Sequence, residues 1–187
     1  MKKDGLIKTR GGGVDKERLY HMLVTYIIDN QDKFYRLAFS YLKNQDDALD
    51  AVQNAVCKAL EHYGELRNEA ALKTWVYRIV LNESLRLVKA RKREILTDED
   101  YQEQPYEEKA FDRDDDLYVQ IDQMEEVTQK IIKLRFFEEL TLGEIAQVLE
   151  MNVNTVKAKL YRGLKILKIE VEKERSYEAY GRSEARI

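Results

Sequence analysis

Apolar residues recur every three or four positions along most of the chain, a spacing that buries one side of an α-helix. The pattern starts near Asp15, stops at the acidic segment 95–116 and resumes near Leu117. Glycine and proline interrupt helices, and the 187 residues include only eight glycines and one proline. The sequence therefore predicts an all-α protein with two small helical domains joined by a flexible linker.

The domain boundaries follow from the places where the helical pattern ends. The first residues contain few apolar side chains and a run of glycines that starts at Gly11, which predicts a flexible tail. The acidic segment lacks sustained periodicity and contains Pro105, which predicts a linker. The full division is a tail at 1–14, a first domain at 15–94, a linker at 95–116, a second domain at 117–175 and a polar C-terminal tail at 176–187.

Three helices are predicted in the first domain. The first spans 15–42, with a break or kink at the polar run 29–33. The second begins at a capping residue, either Asp46 or Asp47, and the third runs from about residue 70 to a basic end at Arg93. The positions predicted to face the core are Leu49, Val52, Val56 and Leu60 on the second helix, and Trp75, Ile79, Leu85 and Val88 on the third.

In the second domain, the segment 141–168 predicts a short helix, a tight turn and a basic helix. Thr141 and Glu144 form a T-x-x-E capping box, and Asn152 can cap the second helix by accepting a hydrogen bond from the Thr155 N–H. This combination is typical of a DNA-binding helix-turn-helix, although an ordinary helical hairpin with a solvated basic face has the same pattern. The buried stripe of the basic helix is predicted to comprise Val156, Leu160, Leu164 and Leu167.

Charge is strongly segregated along the chain, although the net charge is only −3. Eight basic and two acidic residues lie in 67–93, whereas two basic and fourteen acidic residues lie in 94–126. Basic side chains spaced along a helix suit a phosphate backbone and exposed bases, and a solvated helix face is the alternative. On the third helix this stripe comprises Arg78, Asn82, Arg86 and Lys89.

The composition disfavours several other functions. Cys57 is the only cysteine, so neither an internal disulfide nor a cysteine-based zinc site is expected, and its place in the apolar pattern predicts a core position. The histidines are isolated, and no phosphate-binding loop or nucleophile–base pair is present, so no enzyme, cofactor or metal site is predicted. Without a signal peptide or a membrane-spanning run, the protein is expected to be soluble and cytoplasmic.

Four motifs, taken in order, resemble those of the bacterial extracytoplasmic-function (group 4) sigma factors of the sigma-70 family. The first is FYRLAFSYL, which resembles region 2.1, and the second is DDALDAVQNAVCKAL, which resembles region 2.2. The third is TWVYRIVLNESLRLVKARKR, which resembles regions 2.3 and 2.4. The last is IIKLRFFEELTLGEIAQVLEMNVNTVKAKLYRGLKIL, which resembles region 4. Together they span 34–168, and their order around an acidic linker makes the resemblance specific.

The resemblance implies an initiation factor for RNA polymerase. The first domain would dock on the clamp helices of the β′ subunit, separate the strands of the promoter −10 element and hold its non-template strand. The second domain would recognise the −35 element and pack on the β flap. Many members are held inactive by an anti-sigma factor, often membrane-anchored, so the resemblance implies such a partner here.

The resemblance also implies roles for single residues. Polymerase docking is expected at Asp50, Gln53 and Asn54. The neutral amides of Gln53 and Asn54 lose less on desolvation than charges do. Contacts to the −10 element are expected at Tyr63, Arg67, Asn68, Arg78, Asn82, Arg86 and Lys89. Contacts to the −35 element are expected at Asn154, Thr155, Lys157, Ala158, Tyr161, Arg162 and Lys165. Glu150 departs from the family pattern, because it occupies a turn position that glycine often holds.

A helix-turn-helix regulator with an N-terminal helical sensor domain is the alternative function. Such a protein would act at promoters without joining the polymerase. It explains the second domain, but it explains neither the basic stripe of the third helix nor the amide-bearing face at Gln53. Co-purification with core polymerase would distinguish the two functions.

Overall fold

The computed structural model describes residues 15–97 and 115–184, and this part of the chain is helical without any strand. Its helices are α1 (Lys16–Leu42), α2 (Gln45–His62), α3 (Leu72–Thr97), α4 (Asp115–Asp122), α5 (Glu126–Phe136), α6 (Leu142–Leu149) and α7 (Val153–Glu184). Two short 3-10 turns, Tyr63–Glu65 and Glu69–Ala71, connect α2 to α3. The all-α prediction is therefore confirmed.

The helix ends differ from the predicted domain limits. α3 continues to Thr97 and α4 begins at Asp115, so both helices enter the segment predicted to be linker. α7 continues to Glu184, well into the segment predicted to be a polar tail. The predicted tail 1–14 and residues 98–114 of the predicted linker lie outside the described residues.

α1 is one continuous helix of 27 residues, so the break predicted at 29–33 is wrong. Asp15 caps its first turn by accepting hydrogen bonds from two backbone N–H groups. Within the polar run, Asn30 Nδ2 donates to the backbone oxygen of Tyr26 at 2.9 Å, along the helix. The run contains neither glycine nor proline, so its polar residues mark the solvent side of the helix and not an interruption.

The buried face of α2 is a row of alanines, whereas the sequence predicts larger apolar residues there. The fully buried members are Ala48, Ala51, Ala55 and Ala59. Leu49 is 51% exposed, which contradicts its predicted core position, and Val52, Val56 and Leu60 are half-buried. Two apolar stripes overlap on this helix, and the smaller side chains allow α1 and α3 to approach its axis closely.

Two helix caps lie close to their predicted positions without matching them. Asn44 caps α2 by accepting a hydrogen bond from the N–H of Asp47 at 3.0 Å, so the cap is neither Asp46 nor Asp47. Asn152 accepts from the N–H of Asn154 at 2.8 Å, one residue earlier than predicted. Both caps satisfy N–H groups that the first helical turn leaves without an internal partner.

α3 is buried along a face next to the predicted one. Its core residues are Val76, Tyr77, Val80 and Leu81, while Trp75, Ile79, Leu85 and Val88 are half-buried at its edges. In the second domain the prediction is closer, because Val156, Leu160 and Leu167 of α7 are buried and Leu164 is half-buried. Gly163 of α7 brings that helix close to Thr128 and Ile132 of α5.

The two domains pack directly against each other. One continuous cluster of buried apolar residues includes Phe34 and Tyr77 of the first domain and Ile131 and Ile145 of the second. The main contact is between α3 and α6, and a smaller one joins α1 to α5. The sequence does not predict this arrangement, because helical periodicity says which face is apolar but not which element covers it.

Candidate nucleic-acid and polymerase interfaces

The helix-turn-helix is built by local hydrogen bonds. Thr141 Oγ1 accepts from the N–H of Glu144 at 3.2 Å, and Glu144 Oε2 accepts from the N–H of Thr141 at 2.7 Å. The predicted capping box is therefore confirmed. Glu150 ends α6 in the left-handed region with φ 54°, and its N–H bonds back to the last turn. These contacts set the turn from which α7 begins.

The predicted −35 surface lies along the exposed face of α7. All of its predicted members are exposed, namely Asn154, Thr155, Lys157, Ala158, Tyr161, Arg162 and Lys165. The neighbouring Lys159 points to another side, where its Nζ lies 2.7 Å from Glu125 Oε2 at the start of α5. The hydrogen bond from Lys159 holds the pKa of the Glu125 carboxyl below its usual range. The exposed face therefore retains a row of cations beside polar side chains.

The predicted −10 surface is only partly assembled on α3. Asn82, Arg86 and Lys89 lie one after another on the exposed side of this helix. Arg86 Nε donates to Glu83 Oε2 at 2.9 Å, so an acidic neighbour orients the guanidinium. Arg67 is also exposed, in the segment between the two 3-10 turns.

Glu83 joins α3 to α2 beneath this surface. It is only 4% exposed, and its other carboxylate oxygen accepts from Lys58 Nζ at 2.5 Å. Burial raises the pKa of Glu83, but the hydrogen bonds from Lys58 and Arg86 outweigh it and hold that pKa below its usual range. The carboxylate therefore stays charged and fixes two cations at the surface.

A groove lies between the end of α2 and α3, next to Asn82. Its volume is about 360 Å³, and the half-buried rings of Trp75 and the side chain of Ile79 form part of its wall. His62 and Glu65 stand at its rim, with His62 Nδ1 3.0 Å from Glu65 Oε1. A groove that combines an aromatic ring with an amide has the chemistry to stack and hydrogen-bond one unpaired base.

Two predicted −10 residues have structural contacts of their own. The ring of Tyr63 packs edge-on against Tyr20 of α1, with their centroids 5.4 Å apart. Asn68 Oδ1 accepts from the N–H of Ala70 at 3.0 Å and caps the second 3-10 turn. These contacts shape the loop between α2 and α3, in which Glu65 and Arg67 remain exposed.

Arg78 does not face solvent with the rest of the basic stripe. Its guanidinium reaches the helix-turn-helix and donates to the backbone oxygens of Val148 and Gln147 and to the carboxylate of Glu150. Arg78 thus belongs to the contact between the domains in this structure. The sequence could not indicate this, because Arg78 shares a helical stripe with Asn82.

The predicted polymerase-docking residues lie together on the open side of α2. Asp50, Gln53 and Asn54 are all exposed, and Leu49 is exposed beside them. Cys57, which the sequence places in the core, is exposed on the same helix. The predicted docking face is therefore more apolar than expected, because it includes Leu49, which the sequence assigns to the core.

The ion pair between Lys58 and Glu83 was not predicted either, although the sequence indicates that Glu83 pairs with a cation. Glu83 is one of only two acidic residues in the basic segment 67–93. A single carboxylate three residues before Arg86 on a helix is a pairing position. Lys58 belongs to another helix, so only the packing of α2 on α3 reveals its part in the pair.

Family models match both domains. The model described as sigma-70 region 2 matches residues 27–94, and the one described as sigma-70, region 4 matches residues 114–167. The two matched segments contain the basic stripe of α3 and the helix-turn-helix, respectively. A match in both halves does not favour a regulator with an unrelated sensor domain.

Curated relatives extend over most of the chain. The RNA polymerase sigma factor SigV of Bacillus subtilis is 41% identical over 160 residues, which cover 85% of this chain and 96% of that protein. The ECF RNA polymerase sigma factor SigW of the same organism is 27% identical, over 74% of this chain and 82% of that protein. The RNA polymerase sigma-H factor of Pseudomonas aeruginosa is 29% identical, over 78% and 82%.

Solved structures share the fold. The sigma factor RpoE of Bartonella quintana, in complex with the anti-sigma factor NepR, superposes with a TM-score of 0.65 at 18% identity, over 81% of this chain and 97% of that one. CnrH, in complex with the cytosolic domain of CnrY, gives a TM-score of 0.64 at 15% identity, over 84% and 95%. In the part of the chain that the structure describes, no helix is long and apolar enough to cross a membrane.

Proposed function

The chain belongs to the extracytoplasmic-function group of the sigma-70 family, and we propose that it joins core RNA polymerase and directs initiation by contacts at the surfaces of α2, α3 and α7. As a member of this family it acts as a transcription initiation factor that recognises promoters. The assignment of these surfaces rests on two exposed basic faces, one on α3 and one on α7, in a chain whose net charge is −3. The factor works where the polymerase works, in the cytoplasm.

The exposed face of α2 is the proposed docking site for the clamp helices of β′. Leu49 offers an apolar contact, and Asp50, Gln53 and Asn54 surround it with polar groups. Interfaces between proteins commonly place an apolar centre inside a polar rim. The packing of α2 on α1 and α3 through alanines leaves this face uncovered in the described structure.

The groove beside Asn82 is the proposed site for an unpaired base of the −10 element. The ring of Trp75 supplies a stacking surface, and Asn82 can both donate to and accept from a base edge. Arg86 and Lys89 continue the surface along α3 and supply cations for the backbone of the same strand. Arg67 and Asn68 extend it into the preceding loop.

The exposed face of α7 is the proposed contact with the −35 element. In a helix-turn-helix the early turns of the second helix enter the major groove. Lys157 and Ala158 lie in these turns, and Arg162 follows one turn later, within reach of a guanine edge or a phosphate. Lys165 lies nearer the phosphate backbone.

An anti-sigma factor is the proposed regulator. Two structures with the same fold are complexes with an anti-sigma factor or with the cytosolic domain of a partner protein. A regulator of this kind would restrain the chain until a signal releases it, and it would be anchored to the membrane. Recovery of such a partner from detergent-solubilised membranes, but not from the soluble fraction, would test the anchoring.

Run-off transcription tests the function as a whole. Core polymerase is incubated with the purified chain and a promoter library in which the −10 and −35 elements are varied separately. We expect transcripts from a subset of promoters that core polymerase alone does not produce. If transcripts were the same with and without the chain, while the chain failed to bind core polymerase, the proposal would be wrong.

A further inference from the structure

We propose that Glu83 is a positioning residue for the −10 strand, whose carboxylate holds Lys58 of α2 and Arg86 of α3 as a fixed pair of cations. In this arrangement the two cations bind the phosphates on either side of the base that enters the groove beside Asn82. The inference rests on the proposed function of that groove. It adds one contact to the strand, Lys58, and one residue that acts through others, Glu83.

One carboxylate joins the two cations through its two oxygens. Lys58 Nζ donates to Glu83 Oε1 at 2.5 Å, and Arg86 Nε donates to Glu83 Oε2 at 2.9 Å. Each oxygen thus fixes one cation, so the dimensions of a single carboxylate set how far apart the cations lie. Lys58 belongs to α2, whereas Arg86 lies on α3 with Glu83, and the pair therefore spans both helices.

Burial makes Glu83 a rigid support. Its side chain is 5% exposed, whereas the side chains of Lys58 and Arg86 are 48% and 53% exposed. Although burial raises the pKa of Glu83, the hydrogen bonds from the two cations hold that pKa below its usual range, so the support stays charged. The carboxylate is thus enclosed, while about half of each cation's side chain remains available to a ligand.

Both cations have donors left after binding Glu83. An ammonium has three N–H groups, and Lys58 uses one of them on the carboxylate. A guanidinium has five, and the bond from Arg86 Nε leaves the N–H groups of the two terminal nitrogens. These terminal groups form a planar fork that can bind a phosphate through two parallel hydrogen bonds. The pair can therefore hold Glu83 and a phosphate backbone at the same time.

The groove lies directly beside these three charged residues. Lys58, Asn82 and Glu83 all line it. Arg86 is exposed and follows Asn82 after one helical turn on α3. A base that stacks on Trp75 in the groove keeps its two phosphates at the mouth, because burying their charge would be costly. One cation on the α2 side and one on the α3 side are thus placed for the phosphates that precede and follow this base.

A structural ion pair between helices is the simpler explanation for the same residues. That explanation requires only Lys58 and Glu83, since Arg86 lies on the same helix as Glu83 and adds nothing to the link between α2 and α3. A second cation does matter for binding, because two cations on one anion leave a net positive charge beside the groove. Long side chains also lose conformational entropy when a ligand fixes them. A support that holds them before the strand arrives reduces this cost.

Glu83→Gln tests the positioning role while it keeps the shape of the side chain. An amide cannot accept from both cations, because one of its two polar atoms is a donor. Glu61→Gln is the matched control, because it removes the same charge from an exposed position one turn after Lys58 on α2. Lys58→Ala removes the proposed contact at an exposed position and leaves the buried carboxylate in place. Unchanged helicity by circular dichroism would establish that all three variants fold.

The measurement is binding of the holoenzyme to single-stranded −10 oligonucleotides in which one phosphate at a time is replaced by an uncharged methylphosphonate. In the parent we expect two adjacent linkages to weaken binding about tenfold each, the effect of one charge-assisted hydrogen bond. In Lys58→Ala one of these two effects should vanish while the other persists. The salt slope of this variant should fall by about 0.7, the value for one phosphate of a single strand.

Glu83→Gln should lose the position-specific effect at both linkages, whereas Glu61→Gln should keep it. Removing a negative charge near a polyanion raises the affinity for every oligonucleotide alike, so a change of charge alone cannot produce this difference. If Glu83→Gln kept both effects at the same two linkages, the positioning role would be overturned. An unchanged pattern in Lys58→Ala would overturn the contact between Lys58 and the strand.

Binding of the unmodified oligonucleotide separates failure of this inference from failure of the proposed function. If the parent holoenzyme bound this strand no better than core polymerase alone, both would be wrong. If it bound the strand well but no pair of adjacent methylphosphonates weakened binding, only the assignment of Lys58, Glu83 and Arg86 would be wrong. Run-off transcription on the same promoter then reports the proposed function independently of these three residues.

Discussion

Glu138 lies between α5 and α6 and is buried against α3, where Tyr77 donates a hydrogen bond to its Oε2 at 2.9 Å. Burial raises the pKa of the Glu138 carboxyl to about 7, despite the opposing effects of the Tyr77 hydrogen bond and of Arg36 and Lys33 on α1. The exposed Glu139 beside it raises the pKa further. The ionisation of Glu138 is thus coupled to the contact between the domains.

A pH-dependent loss of stability follows from the raised pKa of Glu138. The contribution of protonated Glu138 to the free energy of unfolding is fully present below the ordinary pKa of 4.5. It is lost as the pH rises through about 7, because the folded state then holds a buried carboxylate. Glu138→Gln keeps the shape but cannot ionise. We expect the difference in unfolding free energy between the variant and the parent to grow as the pH rises from 4.5 to about 7. Above pH 7 the variant should be the more stable by on the order of 3 kcal/mol.

Chemical denaturation at a series of pH values measures this difference. The matched control is Glu139→Gln, which removes an exposed carboxylate next to the buried one. If the unfolding free energies of the parent and Glu138→Gln changed with pH in parallel, the pKa of Glu138 would not be raised by burial.

Lys157 and Lys165 are expected to differ in what they contribute to −35 binding. Lys157 lies in the early turns of α7, so Lys157→Ala should change the preferred sequence, by about 1–3 kcal/mol at one base pair. Lys165→Ala should weaken all sequences alike and reduce the salt slope by about one. The measurement is holoenzyme binding to a −35 library at two salt concentrations. Identical sequence profiles for the parent and Lys157→Ala would contradict base recognition by Lys157.

At the scale of single helices, close packing depends on where small residues lie. The alanines of α2 allow α1 and α3 to approach, and Gly163 allows α7 to approach α5. In both cases the larger residues beside them stay at the edge of the contact or in solvent. This is how Leu49 becomes part of an exposed surface on an otherwise well-packed helix.

Gly163→Ala should destabilise the second domain. A Cβ at this position would lie 2.7 Å from Thr128 Cγ2 and 2.9 Å from Ile132 Cδ1, and both neighbours are buried. Overpacking of this kind costs about 1–3 kcal/mol, which outweighs the helix propensity gained, about 1 kcal/mol. Gly143→Ala on α6 is the control, because a Cβ there meets nothing within 4 Å. The melting temperature of Gly163→Ala should be lower than those of the parent and the control. A higher melting temperature would refute close packing of α7 on α5.

The face of α2 should bind core polymerase through its polar and apolar groups together. Gln53→Ala and Asp50→Lys are expected to weaken core binding, and Leu49→Ala to weaken it by about 1–3 kcal/mol because an apolar anchor is lost. None of these exposed residues supports the helix, so helicity should not change. Glu61→Ala, at the exposed end of the same helix, is the control. A pull-down in which all of the first three variants bind core like the parent would exclude this face.

At the scale of the whole molecule, a buried lysine of the second domain contacts the end of α1 in the first. Lys133 of α5 is 1% exposed, donates to the backbone oxygen of Ser40 at 2.7 Å and to Asp122 Oδ1 at 2.8 Å, and lies 4.1 Å from the centre of the Tyr41 ring. Burial lowers the pKa of Lys133, while the hydrogen bond from its ammonium to Asp122 opposes that shift. Lys133 thus binds the Asp122 carboxylate within the second domain and a backbone oxygen of the first domain with the same ammonium.

Removing one partner of the Lys133–Asp122 pair should cost more than removing the buried charge itself. Asp122→Asn leaves the buried ammonium without its counter-ion and should lower stability by about 1–3 kcal/mol. Lys133→Met keeps a long side chain in the same space, and replacing a buried ion by an apolar residue is often close to neutral. Denaturant unfolding gives both values. A larger loss of stability in Lys133→Met than in Asp122→Asn would mean that the ammonium itself stabilises the contact between the domains.

Much of the local structure and of the candidate site could be predicted from the sequence, because the forces involved act over a few residues. Periodicity located the helices, the capping box at Thr141 and Glu144 located the start of α6, and the buried stripe of the basic helix located the exposed face of α7. Each of these signals depends on neighbours within one or two helical turns. The motifs that resemble a sigma factor are likewise continuous in sequence.

Only the tertiary structure decided between overlapping stripes and between surfaces of equal polarity. On α2 the alanines and the larger residues have the same period, and packing against α1 and α3 selected the alanines. On α3, Arg78 and Asn82 share a stripe, yet Arg78 contacts Glu150 of the other domain while Asn82 faces solvent. Local sequence contains no information about a partner 72 residues away, because the contact exists only once both helices have packed.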